Sequence, residues 1–143
     1  ADDPYLTRLI FGRLRIHKFH RGDYDTFHDH PFDFWTLPLR SYREEVLERT
    51  SWYSAQLAAA FSNYSRARGE ERVIARPVWY VFSHTVTAWC WHYRPSSYRH
   101  RLPDDQRWPV WTIVWTRPSG RGWGYWFFDK EARDARFEEA SDG

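Results

Sequence analysis

The chain has 143 residues, of which 42% are hydrophobic and 20% aromatic, and its formal net charge is +2. This length fits a single domain, 1–143, and the aromatic content excludes a disordered chain and favours strands over helices. The charge is mild and contains no basic block, so we expect no nucleic-acid partner. No apolar run reaches membrane-spanning length, and the first residues lack the pattern of a secretion signal. With one cysteine, Cys90, and therefore no internal disulfide, the expected location is cytoplasmic.

The first third of the chain is predicted to be extended. Residues 6–19 contain an apolar run followed by alternating side chains, which is typical of strands. Residues 21–25 contain Gly and Asp in a pattern that predicts a turn. Residues 27–39 are apolar and aromatic. Proline cannot donate to a sheet ladder, so Pro31 and Pro38 each mark a bulge, an edge or a strand end.

The apolar residues in the middle of the chain follow a different spacing. Apolar residues at helical spacing in 51–68 predict a helical insertion between two groups of strands: Tyr53, Leu57, Ala60, Phe61 and Tyr64. Residues 73–93 predict a long β-rich stretch that bends near Ser83 and His84.

The last third predicts two buried strands, 110–116 and 123–128. Residues 129–140 are polar apart from a few apolar positions, and we interpret them as a short C-terminal helix. Many short strands separated by turn signals indicate an all-β sandwich or barrel.

The sharpest chemical feature is a pair of histidines two residues apart. On a strand, His28 and His30 point to the same face, where two imidazoles can share one metal ion. A third ligand must come from elsewhere, and His100 opens a predicted strand five residues after Pro95. We therefore predict that His28, His30 and His100 bind one metal ion. The simpler alternative is that the histidine pair only caps a turn.

These residues resemble the two motifs of the cupin superfamily. Gly22, His28 and His30 match the first motif at its spacing, and Pro95 and His100 match the second. Cupins are double-stranded β-helix (jelly-roll) barrels, and these histidines bind metal in many of them. The resemblance extends over roughly 14–115 with the insertion allowed. It implies the fold and a metal site, and it implies no substrate.

The sequence departs from the family at the fourth ligand. The glutamate of the first motif would fall at Phe34 or Trp35, which cannot bind metal, and Ser97 and Asp104 replace a glycine and an asparagine of the second motif. Asp33 is the nearest carboxylate. It becomes a candidate ligand if Pro31 introduces a bulge that resets the strand alternation. Otherwise its carboxylate bonds to the turn backbone or to an arginine.

Three other side chains are candidates for catalysis. His17 and His20 flank Phe19 and are candidates for orienting a ligand or carrying a proton, although solvated strand histidines are common. Tyr98 shares a strand face with His100 and is a candidate polar group of the cavity, or else a core tyrosine. Cys90, between two tryptophans, is predicted to be a buried small hydrophobe.

Three functions fit a three-histidine barrel. The first is a non-haem iron oxygenase acting on a small molecule or an amino-acid-like substrate, because three neutral histidines leave about half of an octahedral shell open. The second is a redox-free isomerase or lyase with a divalent ion such as Zn or Mn; Ni and Cu are further options. The third is a non-catalytic small-molecule-binding protein. We also expect a homodimer, because the chain has more aromatic material than one small barrel can bury.

Overall fold

A computed structural model describes residues 4–23, 26–51, 57, 77–118, 120 and 122–140. The described part is built from β-strands, in agreement with the predicted all-β class. In chain order the strands are β1 (Leu6–Phe11), β2 (Leu14–Phe19), β3 (Phe27–His28), β4 (Phe34–Pro38), β5 (Tyr42–Arg49), β6 (Trp79–Val86), β7 (His92–Arg94), β8 (His100–Arg101), β9 (Val110–Thr116), β10 (Gly124–Asp129) and β11 (Asp134–Glu139).

The pairing of β2 to β9 is nested. The innermost pair, β5 with β6, is antiparallel, and outside it β4 pairs with β7, β3 with β8 and β2 with β9. Successive pairs alternate between two sheets, so the chain is a long antiparallel ribbon wound into a barrel. This connectivity defines the double-stranded β-helix, or jelly roll, which is the fold that the cupin resemblance implies.

The two sheets face each other across a cavity. One has the order β1-β2-β9-β4-β7 and the other β11-β10-β3-β8-β5-β6. The larger sheet contributes most of the buried apolar residues, which form two clusters. Their buried members are Tyr42, Val86, Leu102 and Val110 in one cluster and Phe27, Leu47 and Trp79 in the other.

Most strand predictions are confirmed, with two differences in the middle of the chain. Pro38 ends β4 and Pro31 lies between β3 and β4, as proline chemistry requires. The predicted bend near Ser83 and His84 is wrong, because β6 continues to Val86 and the break falls at 87–91, where the chain crosses to the other sheet. Sequence reasoning also missed β5, whose composition is rich in Glu and Arg.

The predicted C-terminal helix is wrong. Residues 134–139 form β11, which pairs with β10 in a hairpin that places Phe137 opposite Trp126. Asp129 Oδ1 accepts hydrogen bonds from the backbone N–H groups of residues 131 and 132, and Arg133 adopts a φ of 50° that reverses the chain. The apolar residues Ala135 and Phe137 are two apart, so they follow the period of a strand.

Two further predictions concern Cys90 and the middle of the chain. Cys90 is exposed, which contradicts the prediction that it is buried, because it lies in the loop between β6 and β7. Apart from Ser51 and Leu57, the helical insertion at 51–68 lies outside the described residues and stays a prediction. Within the described chain, no helix has the length and hydrophobicity needed to cross a bilayer.

Candidate metal centre

The three predicted histidines are brought together by neighbouring strands of the larger sheet. His28 ends β3 and pairs directly with His100 of β8. His30 follows two residues later, and its backbone N–H donates to the carbonyl of Ser96. Between them, Asp29 points the opposite way, where its fully buried carboxylate accepts hydrogen bonds from the Gly124 N–H and the Trp126 Nε1–H. The alternation of the strand therefore directs both histidines to the cavity.

The imidazole rings are close enough to share an ion. Each of His28, His30 and His100 offers one nitrogen, and these nitrogens all lie within 4.8 Å of one another. Nε2 of His30 is 3.0 Å from Nε2 of His100. The three residues form the cluster of potential metal ligands found in the described part of the chain.

A carboxylate orients His28. Asp23 Oδ2 lies 3.0 Å from His28 Nδ1, and Asp23 Oδ1 accepts a hydrogen bond from the backbone N–H of Leu102. Asp23 is held near the strand by Gly22, whose N–H donates to Asp104 Oδ1 at 2.8 Å. A side chain at Gly22 would meet the Leu102 carbonyl at 2.4 Å, so this position requires glycine.

A second carboxylate, Glu44 of β5, orients His100. Glu44 is completely buried, and its Oε2 lies 2.9 Å from His100 Nδ1. Its Oε1 accepts hydrogen bonds from Arg94 Nη2 at 2.6 Å, the Tyr98 hydroxyl at 2.5 Å and His84 Nε2 at 2.8 Å. A carboxylate with four donors is fixed in place, and it fixes His100 in turn.

The surroundings of these side chains favour the ionised form of Glu44 and the neutral forms of His28 and His30. Burial by itself raises the pKa of Glu44, but the hydrogen bonds from His100 and His84 and the charge of Arg94 outweigh burial and hold this pKa well below its ordinary value. Burial also lowers the pKa of His28, against the opposing effect of Asp23, and lowers the pKa of His30 further. Neutral imidazole is the form that binds metal.

This arrangement fits a divalent transition metal. With Nδ1 donating to Asp23 in His28 and to Glu44 in His100, each ring presents the lone pair of its Nε2 for coordination. Two nitrogens bound at adjacent octahedral positions, with bonds of about 2.1 Å, lie about 3.0 Å apart. The His30–His100 separation of 3.0 Å matches this requirement.

A cavity of about 480 Å³ opens in front of the histidines. Its walls come from both sheets and combine aromatic and aliphatic side chains with a few cationic ones. The apolar wall includes Phe19, Phe32, Phe34 and Val114, and the polar positions include Arg8, Arg15, His17, Arg94 and Thr112. A volume of this size suits a small-molecule ligand.

Asp33 lies outside the cluster, so it is not a ligand in this structure. Its Oδ1 accepts a hydrogen bond from the Ser96 backbone N–H at 2.8 Å, and this bond lowers the pKa of Asp33. Pro31 does not turn the carboxylate toward the cavity. The alternative prediction was a bond to the turn backbone or to an arginine, and the observed partner is the backbone of Ser96, in the segment between β7 and β8.

The three candidate catalytic residues occupy different places. His17 lines the cavity. The Tyr98 hydroxyl donates to Glu44, and Tyr98 is not among the residues that line the cavity. Burial and then the negative charge of Glu44 raise the pKa of Tyr98. His20 Nε2 lies 2.8 Å from Thr7 Oγ1 near the exposed edge of the sheet and does not line the cavity.

Sequence reasoning missed Glu44, Asp23 and Arg94. The available signal for Glu44 was its position between Tyr42 and Val46, because three alternate residues of a strand share one face and the two flanking residues are apolar. Asp23 belongs to the predicted turn and gave no sign of a partner. Arg94 resembles any surface arginine in sequence.

The comparisons with known proteins give distant similarities in structure. No family model matches the chain, and no curated protein matches it. A cupin domain from Bordetella pertussis Tohama I is 10% identical and aligns with 82% of this chain and 99% of its own, with a TM-score of 0.44. CapF, solved with the inhibitor 3-isopropenyl-tropolone, is 12% identical and aligns with 94% of this chain, with a TM-score of 0.41. The alignment spans 35% of the length of CapF.

Proposed function

We propose that this protein binds one divalent transition metal ion through His28, His30 and His100 and acts on a small molecule in the adjoining cavity. The observation that carries the proposal is the 3.0 Å separation of the His30 and His100 Nε2 atoms within a triad in which carboxylates hold two of the three rings. Orienting carboxylates of this kind are typical of metal-binding histidines.

Among metal-dependent activities, we propose a non-haem iron oxygenase. A ferrous ion held by three neutral nitrogens would supply O2 activation, with open positions for O2 and substrate. The protein contributes an apolar cavity that orients the substrate and excludes water, and carboxylates that keep the histidine rings fixed.

Proton-transfer chemistry has less support from the cavity. Burial, together with the charges of Arg8 and Arg15, lowers the pKa of His17 to about 3, which makes it a weak base at neutral pH. The hydroxyl of Tyr98 is engaged by Glu44. A redox-free isomerase or lyase needs such a proton carrier, so we rank it second, ahead of a non-catalytic binding protein.

Metal analysis of the purified chain tests the first part of the proposal. We expect about one first-row metal ion per chain in the parent protein and less than a tenth of that in His100→Ala. His92→Ala is the matched control, because His92 Nε2 contacts the Thr87 carbonyl at 2.9 Å outside the cluster. Equal metal retention by His100→Ala and the parent contradicts the three-histidine site.

Binding of nitric oxide, a stand-in for O2, tests the oxygenase assignment. The Fe(II)-loaded parent should give the EPR signal of an iron–nitrosyl adduct, because the histidines leave coordination positions open. His92→Ala should give the same signal. A metal-loaded protein without this signal would argue for the redox-free alternative.

A further inference from the structure

One wall of the cavity carries cationic and polar side chains that point inward. Arg8 of β1 lies directly opposite His17 of β2, and Arg15 lies two residues before His17 on the same strand face. All three residues line the cavity. We call these three residues the cationic wall. Arg8 is exposed, whereas Arg15 and His17 are partly buried, and an anion in the cavity would offset the desolvation of these two side chains.

Polar atoms of this wall are buried without hydrogen-bond partners. Arg15 Nε and His17 Nε2 are both inaccessible to solvent and have no partner in the structure. The Arg15 guanidinium lies over the Phe32 ring, 4.5 Å from its centre. Buried polar atoms normally have hydrogen-bond partners, and both of these atoms belong to side chains that line the cavity.

Within the part of the chain that the structure describes, the cavity lining has no unengaged carboxylate to pair with these cations. Among its described lining residues the carboxylate is Asp23, which is engaged by His28 and the Leu102 N–H. The remaining lining arginine, Arg94, is paired with Glu44. An anionic group on a bound molecule would supply this counter-charge.

The cationic wall faces the metal centre. Arg8, Arg15 and His17 line the same cavity as the three histidines of the candidate metal centre. Phe32 connects the two regions, because its ring contacts the His30 ring, with centres 6.3 Å apart, and the Arg15 guanidinium lies over it.

We propose that Arg8, Arg15 and His17 bind the carboxylate group of the substrate, which is an organic acid with an apolar body. That this acid is the substrate rests on the proposed function; the anion site itself does not. A planar guanidinium binds carboxylates through two parallel N–H donors, and a neutral imidazole adds one donor. The aromatic lining accommodates the rest of the molecule.

Phenylacetate is a suitable probe, with neutral phenylacetamide as its matched analogue. Ligand-observed NMR titrations of the full chain, first metal-free and then Zn(II)-loaded, give both affinities. In the metal-free protein no ion can hold the carboxylate. We expect the metal-free protein to bind phenylacetate at least about 10-fold more tightly than phenylacetamide, because charge-assisted hydrogen bonds are stronger than neutral ones.

Two substitutions test whether the arginines of this wall produce the preference for phenylacetate over phenylacetamide. Arg8→Gln and Arg15→Gln should each weaken phenylacetate binding about 10-fold and leave the affinity for the amide unchanged. Arg8 is exposed at the mouth of the cavity, so its replacement spares the fold. The matched control is Arg13→Gln, an exposed arginine of the same hairpin that does not line the cavity.

The outcomes separate this inference from the proposed function. A chain that binds Zn(II) but binds acid and amide equally, or whose preference survives both substitutions, overturns the carboxylate site and leaves the metal centre standing. A chain that binds no metal but keeps a preference removed by Arg8→Gln overturns the proposed function and supports the anion site.

Discussion

At the scale of single residues, one buried carboxylate connects the histidine cluster to the side chains around it. Glu44 joins His100 to Arg94, Tyr98 and His84. A buried ionised carboxylate is costly unless all of its hydrogen-bonding capacity is used, and four donors meet that demand. Tyr98 thereby acquires a positioning role, because its hydroxyl holds Glu44 rather than a substrate.

Replacing Glu44 with Gln should affect metal binding and stability together. We expect Glu44→Gln to lower metal affinity roughly 10–100-fold because the His100 ring loses its orienting partner. The free energy of unfolding should fall by on the order of 3 kcal/mol because Arg94 keeps a buried charge without its counterion. Zn(II) competition against a chelator and urea unfolding measure the two effects.

Glu45→Gln is the control, since Glu45 alternates to the opposite strand face and pairs with the partly exposed Arg101. It should cost less than about 1 kcal/mol and leave metal affinity unchanged. Equal metal affinity in parent and Glu44→Gln would show that His100 needs no orienting carboxylate.

The lowered pKa of Glu44 predicts how the stability of the fold depends on pH. The pKa of Glu44 is lower in the folded chain than its ordinary value of 4.5. Its stabilising contribution is therefore complete above pH 4.5 and is lost as the pH falls through the lower folded value. Urea unfolding of the metal-free protein between neutral and acid pH should show this loss in the parent and a smaller loss in Glu44→Gln. Parallel pH profiles would contradict the assignment.

At the scale of elements, the β10–β11 hairpin shows how local composition and tertiary pairing diverge. Residues 129–140 contain Glu, Lys, Ala and Arg, which favour helices in isolation. In the fold they meet the free edge of β10, and Phe137 packs against Trp126 with ring centres 5.1 Å apart. Sheet hydrogen bonds and this aromatic contact outweigh a weak helical preference.

Arg133→Gly distinguishes the turn from a helix by the sign of its effect. At a φ of 50°, a non-glycine residue pays about 1–2 kcal/mol, more than the roughly 0.5–1 kcal/mol entropic cost of glycine. We expect the variant to be more stable by about 0.5 kcal/mol in urea unfolding. The control Glu131→Gly, in the same turn, should be destabilised by a similar amount. A loss of stability in Arg133→Gly would support a helix.

At the scale of the whole molecule, the barrel should fold without metal. Its stability comes from aromatic and aliphatic burial between long paired strands, so metal binding adds to a site that is already shaped. Chelation should leave the far-UV circular dichroism spectrum unchanged. It should lower the Tm only as far as the loss of the metal-binding free energy requires. Loss of the β-sheet spectrum on chelation would show that metal creates the fold.

The outer face of the smaller sheet leads us to predict a homodimer. Trp35 of β4 lies beside Trp115 of β9 and Tyr93 of β7, and all three side chains are exposed. Contiguous exposed aromatic surface of this kind is typical of interaction sites. Light scattering at micromolar concentrations should give the dimer mass for the parent and the monomer mass for Trp115→Ser. Trp89→Ser, in an exposed loop, should remain dimeric, and a monomeric parent would exclude the prediction.

The sequence by itself predicted the strand-rich class and the three histidines that the fold brings together. The strands and the pair His28 and His30 follow from short-range rules, namely the alternation of strand side chains and the effect of proline on sheet ladders, whereas His100 was added by the resemblance to the second cupin motif. Only the tertiary structure decided the nested pairing, the position of Asp33 outside the histidine cluster, and the contacts of Glu44 and Asp23 with the histidines. These depend on strands that are far apart in the chain, as when Val46 of β5 comes to lie opposite His100 of β8. A sequence does not distinguish a buried glutamate from one at the surface. The hydrogen-bond donors that surround each carboxylate in the fold make the difference.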